Sequence, residues 1–241
     1  MNISEQSTIS DIINTNYRTA KVFSHYNINF FDHGNKSIGD VSKEADLKPE
    51  TLLMSLANVD SQDFITNYQD WPLEFLVDYI YQVYHKSVEE KFPIIKKKLN
   101  EVAHKYGSKN PEIHEIEKLF NEGIQELSIH MKKEEHILFP YVKMLAEAKN
   151  NNQPIKNPSF ITVENPIFLM QEDHNHEGKR YDKITKLSNS YKVPEGVDNS
   201  YKELYKMLEK FDKDLKTHLH LESNVLFKKA IEIEKELIQK N

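Results

Sequence analysis

The stretches HMKKEEHILF, residues 130–139, and HLHLESNVLF, residues 218–227, share one pattern. In each stretch a histidine is followed four residues later by a glutamate, and then by a Leu-Phe pair. Four residues of an α-helix turn through about 400°, so each histidine lies beneath its glutamate on one face. Because an imidazole and a carboxylate one turn apart can chelate a metal ion, the two stretches favour a two-metal site inside a helix bundle.

A single His/Glu pair at this spacing is also common on solvated helix faces, where it forms only a weak ion pair. Duplication and position argue against that interpretation here. Both pairs precede an apolar dipeptide, Leu138-Phe139 or Leu226-Phe227, so both lie near a buried stripe and not on a purely polar surface. Metal binding is therefore the favoured interpretation.

The composition limits the class of protein. The chain has 241 residues, of which 38% are hydrophobic and 29% charged, with 6 glycines and a net charge of −6; this is typical of a globular protein with much exposed helix. No apolar run approaches the ~18 residues of a membrane span, and the N-terminus lacks a basic and apolar secretion signal. We therefore expect a cytoplasmic protein that binds neither membrane nor nucleic acid.

The absence of cysteine limits the kind of metal site. It excludes disulfides, thiolate zinc sites, iron–sulfur ligation by this chain and cysteine nucleophiles. Any metal must be held by His, Asp, Glu or Tyr side chains, and nitrogen and carboxylate ligands suit iron or manganese.

Helix start and stop signals predict an all-α protein in two parts. Residues 1–60 are expected to form a small helical N-terminal domain, and residues 58–70 a polar linker. Four long helices are predicted within residues 72–241, at about 72–105, 110–148, 166–190 and 199–239. Two turns and one longer crossing loop connect them, which fits an up-down-up-down four-helix bundle. Pro93 and Pro140 lie inside predicted helices and should kink or locally break them.

The depths of four histidines test the two-metal interpretation. His130 and His218 each lie about 19 residues into their helices, roughly 28 Å from one end of the bundle. His85 and His174 lie about 16 to 20 residues from the ends of the two helices that run the other way. All four therefore reach nearly one level. The resulting set of candidate ligands is His85, His130, Glu134, His174, His218 and Glu222.

Six protein ligands are too many for one tetrahedral zinc ion and suit two six-coordinate ions. With two histidines on each ion and both glutamates bridging, room remains for an oxo or hydroxo bridge and one open position. Such a position on a redox metal is where oxygen, peroxide or nitric oxide would bind. Two iron ions are expected, with manganese or zinc as less favoured alternatives. The spacing leaves open which histidines share an ion.

The other histidines are expected to lie outside the site, because they point away from it or lie at another level. They are His25, His33, His104, His114, His136, His176 and His220. Glu172 and Asp173 precede His174, and either could orient an imidazole or simply belong to a charged face.

These residues resemble the repair-of-iron-centres family, hemerythrin-like di-iron proteins also called regulators of cell morphogenesis and nitric-oxide signalling. The resemblance covers nearly the whole chain. The matching pieces of the bundle are Tyr84-His85, His130-Met131, Lys133-Glu134-Glu135, Leu138-Phe139-Pro140, Met170, His174, Gly178, His218–Glu222 and Leu226-Phe227. The resemblance implies that His85, His130, His174 and His218 are iron ligands and that Glu134 and Glu222 bridge the two irons.

The N-terminal part resembles the small helical domain of the same family, through Val22-Phe23, Tyr26, Ile28-Asn29-Phe30 and Gly34-Asn35-Lys36. The family places a cysteine pair directly after that last phenylalanine, where this chain has Phe31-Asp32. It also has Asp173 where the family has glutamate, and Lys228 where the family has proline. The missing thiols weaken the case for iron–sulfur transfer or redox sensing by this domain.

Three functions are weighed. The favoured one is a di-iron protein of the nitrosative and oxidative stress response that helps repair iron–sulfur clusters. Its partners would be damaged iron–sulfur proteins, and a homodimer is one candidate assembly. The second is a di-iron oxidoreductase that reduces nitric oxide or peroxide, or a reversible oxygen carrier, which the missing cysteine pair favours somewhat over cluster delivery. The third is a metal-free helical interaction module, which the cost of burying six polar side chains disfavours.

Overall fold

The computed structural model describes residues 3–61, 64–156 and 158–239. Within these residues the chain is α-helical, and β-pairing is limited to one bridge between Thr8 and Ser37. The chain divides into two compact units, Met1–Trp71 and Pro72–Asn241. Two positions of the predicted linker, one of the predicted crossing loop and both chain ends lie outside the described residues. The all-α prediction is confirmed.

The first unit is built from short helices around its own small core. They are α1 (Ile9–Thr15), α2 (Ala20–His25), α3 (Ile38–Glu44) and α4 (Pro49–Ala57), with 3₁₀ turns at Tyr17–Thr19 and Tyr68–Asp70. The hydroxyls of Thr8 and Ser37 accept backbone N–H groups at the starts of α1 and α3, which satisfies donors that have no partner within the helix. Phe23 and Trp71 are among the side chains buried in this core.

The second unit, in its described part, is a bundle of four long helices. The first consists of α5 (Leu73–Tyr79), a π-helical turn (Ile80–His85) and α6 (Lys86–Tyr106). The second consists of α7 (Glu112–Lys133), a π-helical turn (Glu134–Leu138) and α8 (Phe139–Asn150). The third is α9 (Glu164–Leu187). The fourth consists of α10 (Asn199–Leu221), a π-helical turn (Glu222–Leu226) and α11 (Phe227–Gln239).

Ion pairs show that neighbouring bundle helices run antiparallel. From one pair to the next, the residue number rises along one helix and falls along the other. Between α6 and α10 the pairs are Lys91–Asp214, Lys98–Glu203 and Lys105–Asp198. Between α7 and α9 they are Lys183–Glu115, Arg180–Glu126 and Lys133–Asp173. Phe120, Tyr181 and Phe211 are among the buried side chains that fill the space between these helices. The up-down-up-down bundle is confirmed.

The two prolines predicted to kink or locally break helices lie in different settings. Pro93 lies inside α6, which continues to Tyr106. Pro140 lies in the first turn of α8, directly after the π-helical turn Glu134–Leu138. The fourth helix has a π-helical turn at the equivalent place although Lys228 replaces the proline. Proline is therefore not what produces these turns.

Candidate metal centre

The bundle brings the six predicted ligand side chains together in its interior. All six are buried, and they form two groups whose potential ligand atoms lie within 4.8 Å of one another. The first group consists of His85, Glu134, His218 and Glu222, and the second of His130, Glu134, His174 and Glu222. Both glutamates belong to both groups, so the two groups form one continuous cluster.

In the first group, Nε2 of both histidines faces the shared carboxylates. His85 Nε2 lies 3.5 Å from Glu134 Oε2 and 3.6 Å from Glu222 Oε1. His218 Nε2 lies 2.8 Å from the same oxygen of Glu222. These four side chains come from the first, second and fourth bundle helices, so the group forms only when those helices pack together.

In the second group, a histidine contacts the other carboxylate oxygen of Glu222, Oε2. His174 Nε2 lies 3.2 Å from Glu222 Oε2, and His130 Nε2 lies 3.4 Å from Glu134 Oε2. The two imidazoles approach each other at 3.1 Å between their Nε2 atoms. The sequence left the pairing of the histidines open; in the structure His85 lies with His218, and His130 lies with His174.

Several polar atoms of the cluster fit a metal ion better than they fit one another. His85 Nε2, both carboxylate oxygens of Glu134 and Glu222 Oε2 are buried without a hydrogen-bond partner among the described residues. Two ligand atoms about 2.1 Å from one ion, at right angles, lie about 3 Å apart, close to the separations seen here. Buried carboxylates without donors are costly unless a cation compensates them, so the donor set fits metal ions.

The electrostatics of the metal-free cluster also favour cation binding. Burial lowers the pKa of His85, but the surrounding carboxylates outweigh it and raise the pKa well above the ordinary value. The same balance raises the pKa of His130 to about 9. Burial raises the pKa of Glu222, yet the neighbouring imidazoles hold it well below the ordinary value. For His218 burial dominates and lowers the pKa. A metal ion entering the cluster must therefore displace protons.

The π-helical turns place three members of the cluster. His85 ends one such turn, and Glu134 and Glu222 begin the other two. In the latter turns the N–H groups of Phe139 and Phe227 donate to carbonyls five residues back, on Glu134 and Glu222. Isolated π-helical turns of this kind occur mostly at functional sites. Hydrophobic periodicity did not reveal them.

Outer contacts fix three imidazoles through their Nδ1 atoms. His85 Nδ1 lies 3.0 Å from Glu135 Oε1, and His174 Nδ1 lies 2.9 Å from Ser223 Oγ. His130 Nδ1 lies 3.3 Å from a carboxylate oxygen of Asp173. The sequence reasoning left open whether Asp173 orients an imidazole; it contacts His130 on the neighbouring helix.

Glu135 and Ser223 were missed from the sequence, although a signal existed. Each directly follows one of the shared glutamates, and each repeat also ends in a phenylalanine that stacks on the same imidazole. Phe139 lies 5.3 Å from His85 and Phe227 lies 5.6 Å from His174, between ring centroids. Each repeat thus supplies a shared carboxylate, a hydrogen-bond partner and an aromatic face.

The remaining histidines lie outside the two groups found among the described residues. His136, His176 and His220 are exposed. A cavity of 340 Å³ lies beside the cluster, where His130 forms part of its lining. It is lined by Glu126, Leu127, Ile129, His130, Lys133, Asp173, His176 and Glu177.

Residues 77–157, which include the first of the two sequence repeats, match the family described as Hemerythrin, "Hemerythrin HHE cation binding domain". This part of the chain therefore resembles a hemerythrin cation-binding domain. The iron-sulfur cluster repair protein YtfE of Pectobacterium atrosepticum is 29% identical over 221 residues, 89% of this chain and 91% of that protein. The proteins of the same name from Yersinia pestis and Yersinia pseudotuberculosis are 26% identical over 215 residues, with the same shares covered.

The match to the hemerythrin cation-binding family and the buried histidine–glutamate cluster together indicate metal binding. The expected resemblance to iron–sulfur cluster repair proteins is confirmed by relatives that align along about nine tenths of the chain. Among the described residues, no helix has the length and apolar character needed to cross a bilayer.

Proposed function

We propose that this chain is a di-iron protein that helps repair iron–sulfur clusters damaged by nitric oxide or peroxide. The observation that carries the proposal is the pair of buried groups that share Glu134 and Glu222. The YtfE proteins, similar along almost their whole length, carry the repair function in their names. The clients would be damaged iron–sulfur proteins of the cytoplasm.

The ligand assignment follows from the two groups. His85 and His218 would hold one iron, His130 and His174 the other, and the two glutamates would bridge them. Bound iron would supply redox electrons and an open coordination position. The donor atoms suit manganese as well as iron, and iron is preferred because the similar YtfE proteins are named for iron–sulfur cluster repair. Zinc fits less well, because six protein ligands are too many for one tetrahedral ion.

The protein's own contribution is to orient and shield these ligands. The carboxylates of Glu135 and Asp173 would accept the Nδ1–H of His85 and His130, which leaves Nε2 free to bind a metal. The Ser223 hydroxyl fixes the orientation of the His174 ring through Nδ1. Phe139 and Phe227 cover imidazole faces and keep water away from them. A small molecule would approach the cluster from the cavity beside His130.

Iron loading under anaerobic conditions tests the centre. We expect two irons per chain and, after oxidation, the near-ultraviolet absorption of a bridged iron pair. A metal-free interaction module would instead bind no stoichiometric iron and have equal thermal stability with and without metal.

Reactivation of a damaged client tests the repair function. An iron–sulfur enzyme inactivated by nitric oxide is incubated with the iron-loaded protein, and its recovered activity is followed. The iron-loaded wild type should restore activity, whereas the Glu134→Ala variant should not. Equal recovery with both, or with free iron at the same concentration, would contradict the proposal.

A second candidate is direct reduction of nitric oxide or peroxide, or reversible oxygen binding. The absence of cysteine from the chain and the cavity that reaches His130 favour it. Stopped-flow spectra of the reduced protein mixed with each ligand separate the alternatives. Turnover consumes the ligand, whereas a carrier releases it when the solution is purged.

The domain assignment is part of the proposal. Residues 1–60 would form a cysteine-free version of the small N-terminal domain, and residues 72–241 the di-iron bundle. Expression of residues 72–241 alone with two bound irons would support this division.

A further inference from the structure

The imidazole of His85 is held from three sides. Its Nε2 atom faces the shared carboxylates, Phe139 stacks on one face, and Nδ1 lies 3.0 Å from Glu135 Oε1. Glu134 and Glu135 are consecutive residues of one π-helical turn, yet they contact opposite edges of the same ring. This arrangement leaves the ring a single orientation.

Glu135 is in turn held by a surface lysine. Lys132 Nζ lies 2.8 Å from Glu135 Oε2 and 3.1 Å from Glu89 Oε1. The side chain of Glu135 is 9% exposed, whereas those of Lys132 and Glu89 are each 51% exposed. A line of charged groups therefore runs from the bundle surface to the far edge of the His85 ring.

The equivalent position in the second repeat has no such charge. Ser223, which follows Glu222 as Glu135 follows Glu134, offers only a neutral hydroxyl to His174. A carboxylate that accepts the Nδ1–H of a metal-bound histidine makes that ligand more basic than a hydroxyl does. The first repeat thus places a carboxylate beside His85, whereas the second places a neutral hydroxyl beside His174.

We propose that Glu135 is a positioning residue that holds His85 and makes it a more strongly donating ligand than His174, and that Lys132 moderates this effect. The proposal deepens the proposed di-iron function and rests on it. An anionic partner behind a ligand stabilises the more oxidised metal, so Glu135 lowers the reduction potential of the centre. Lys132 partly neutralises the same carboxylate and therefore raises the reduction potential.

The test compares three variants after iron loading. Glu135→Gln keeps an oxygen that accepts from the Nδ1–H of His85 but removes the negative charge. We expect a more positive midpoint potential. We also expect about ten-fold weaker iron binding, measured by competition with a chelator. Lys132→Met should move the potential in the opposite direction. Lys143→Met removes the same charge from a lysine that pairs with Asp78 instead, and it should leave the potential unchanged.

The outcomes separate this inference from the function it rests on. A wild-type protein without an iron pair overturns both. An iron pair whose potential is unmoved by Glu135→Gln, or shifted the same way by Lys132→Met, overturns only the role of Glu135. If Glu135→Gln does not fold, the Lys132→Met variant provides the test, because Lys132 is half-exposed. A midpoint potential of Lys132→Met equal to that of Lys143→Met would then overturn the inference.

Discussion

At the scale of single residues, Glu134 and Glu222 dominate the candidate site. Both carboxylates are fully buried, and each has an oxygen without a hydrogen-bond donor among the described residues. Removing an ion from water costs several kcal/mol unless an opposite charge compensates it. The imidazoles supply that charge only while they are protonated, and a metal ion would supply it permanently.

The first prediction concerns these two carboxylates. Glu134→Ala or Glu222→Ala removes a side chain shared by both groups, so the protein should bind fewer than two irons and lose the absorption of a bridged pair. His136→Ala is the matched control, because His136 lies on the same turn but is exposed. Iron analysis and absorption spectra measure the effect. Full iron content in both glutamate variants would contradict the ligand assignment.

At the scale of secondary structure, Glu234 fastens the crossing loop to the bundle. This glutamate of α11 is 2% exposed. Its carboxylate accepts the Val163 N–H at 2.9 and 3.0 Å and the Tyr141 hydroxyl at 2.7 Å, and also the Thr162 hydroxyl. A carboxylate at this point also complements the positive end of α9, which begins at Glu164.

The second prediction follows from these contacts. Glu234→Ala leaves a buried N–H and two hydroxyls without this acceptor, so the free energy of unfolding should fall by about 2 kcal/mol or more. Glu232→Ala, on the exposed face of the same helix, should change it by less than about 0.5 kcal/mol. Urea unfolding measures both values. Equal effects would show that the loop is not held by Glu234.

The third prediction uses two glycines in facing helices. A Cβ at Gly178, in α9, would meet no atom within 4 Å, whereas one at Gly123, in α7, would lie 2.6 Å from Arg180 Cδ and 3.0 Å from Glu177 Oε2. Gly178→Ala should therefore stabilise the protein by about 0.5–1 kcal/mol. Gly123→Ala should not stabilise the protein in this way, because the added methyl group would displace the buried Arg180–Glu177 pair. Thermal unfolding of both variants tests the contrast, and equal stabilisation would contradict it.

At the scale of the whole molecule, stability should depend on pH through the cluster. In the metal-free protein the pKa of His130 is raised to about 9 from 6.5. A raised histidine pKa means that the folded state binds the proton more tightly than the unfolded chain does. Its contribution to stability is therefore complete below pH 6.5 and is lost as the pH rises through about 9.

The fourth prediction compares metal-free and iron-loaded protein over this range. The free energy of unfolding of the metal-free protein should fall as the pH rises from about 6 to 9.5. The iron-loaded protein should show no such fall, because metal binding has already displaced the protons. Urea titrations at several pH values measure both curves. If the free energy of unfolding depended on pH in the same way with and without iron, protonation of His130 would not be the cause.

Much of the fold followed from local patterns. The predicted start of the fourth bundle helix, about residue 199, coincides with Asn199, where Asp198 accepts the backbone N–H groups of Ser200 and Tyr201. Capping residues and prolines act within one turn, so they can be read without tertiary information. The absence of a break at Pro93 and the three π-helical turns could not be read this way, because apolar periodicity does not register one extra residue in a turn.

The sequence by itself determined an all-α bundle and the six side chains that meet inside it. Histidine and glutamate four residues apart must share a helix face, and equal depths along antiparallel helices must meet at one level. Only the tertiary structure decided that His85 lies with His218 and His130 with His174, and that Glu135 and Ser223 support the imidazoles of other helices. Those contacts depend on how each helix is rotated about its axis when it packs, and on the π-helical turns that adjust this rotation locally.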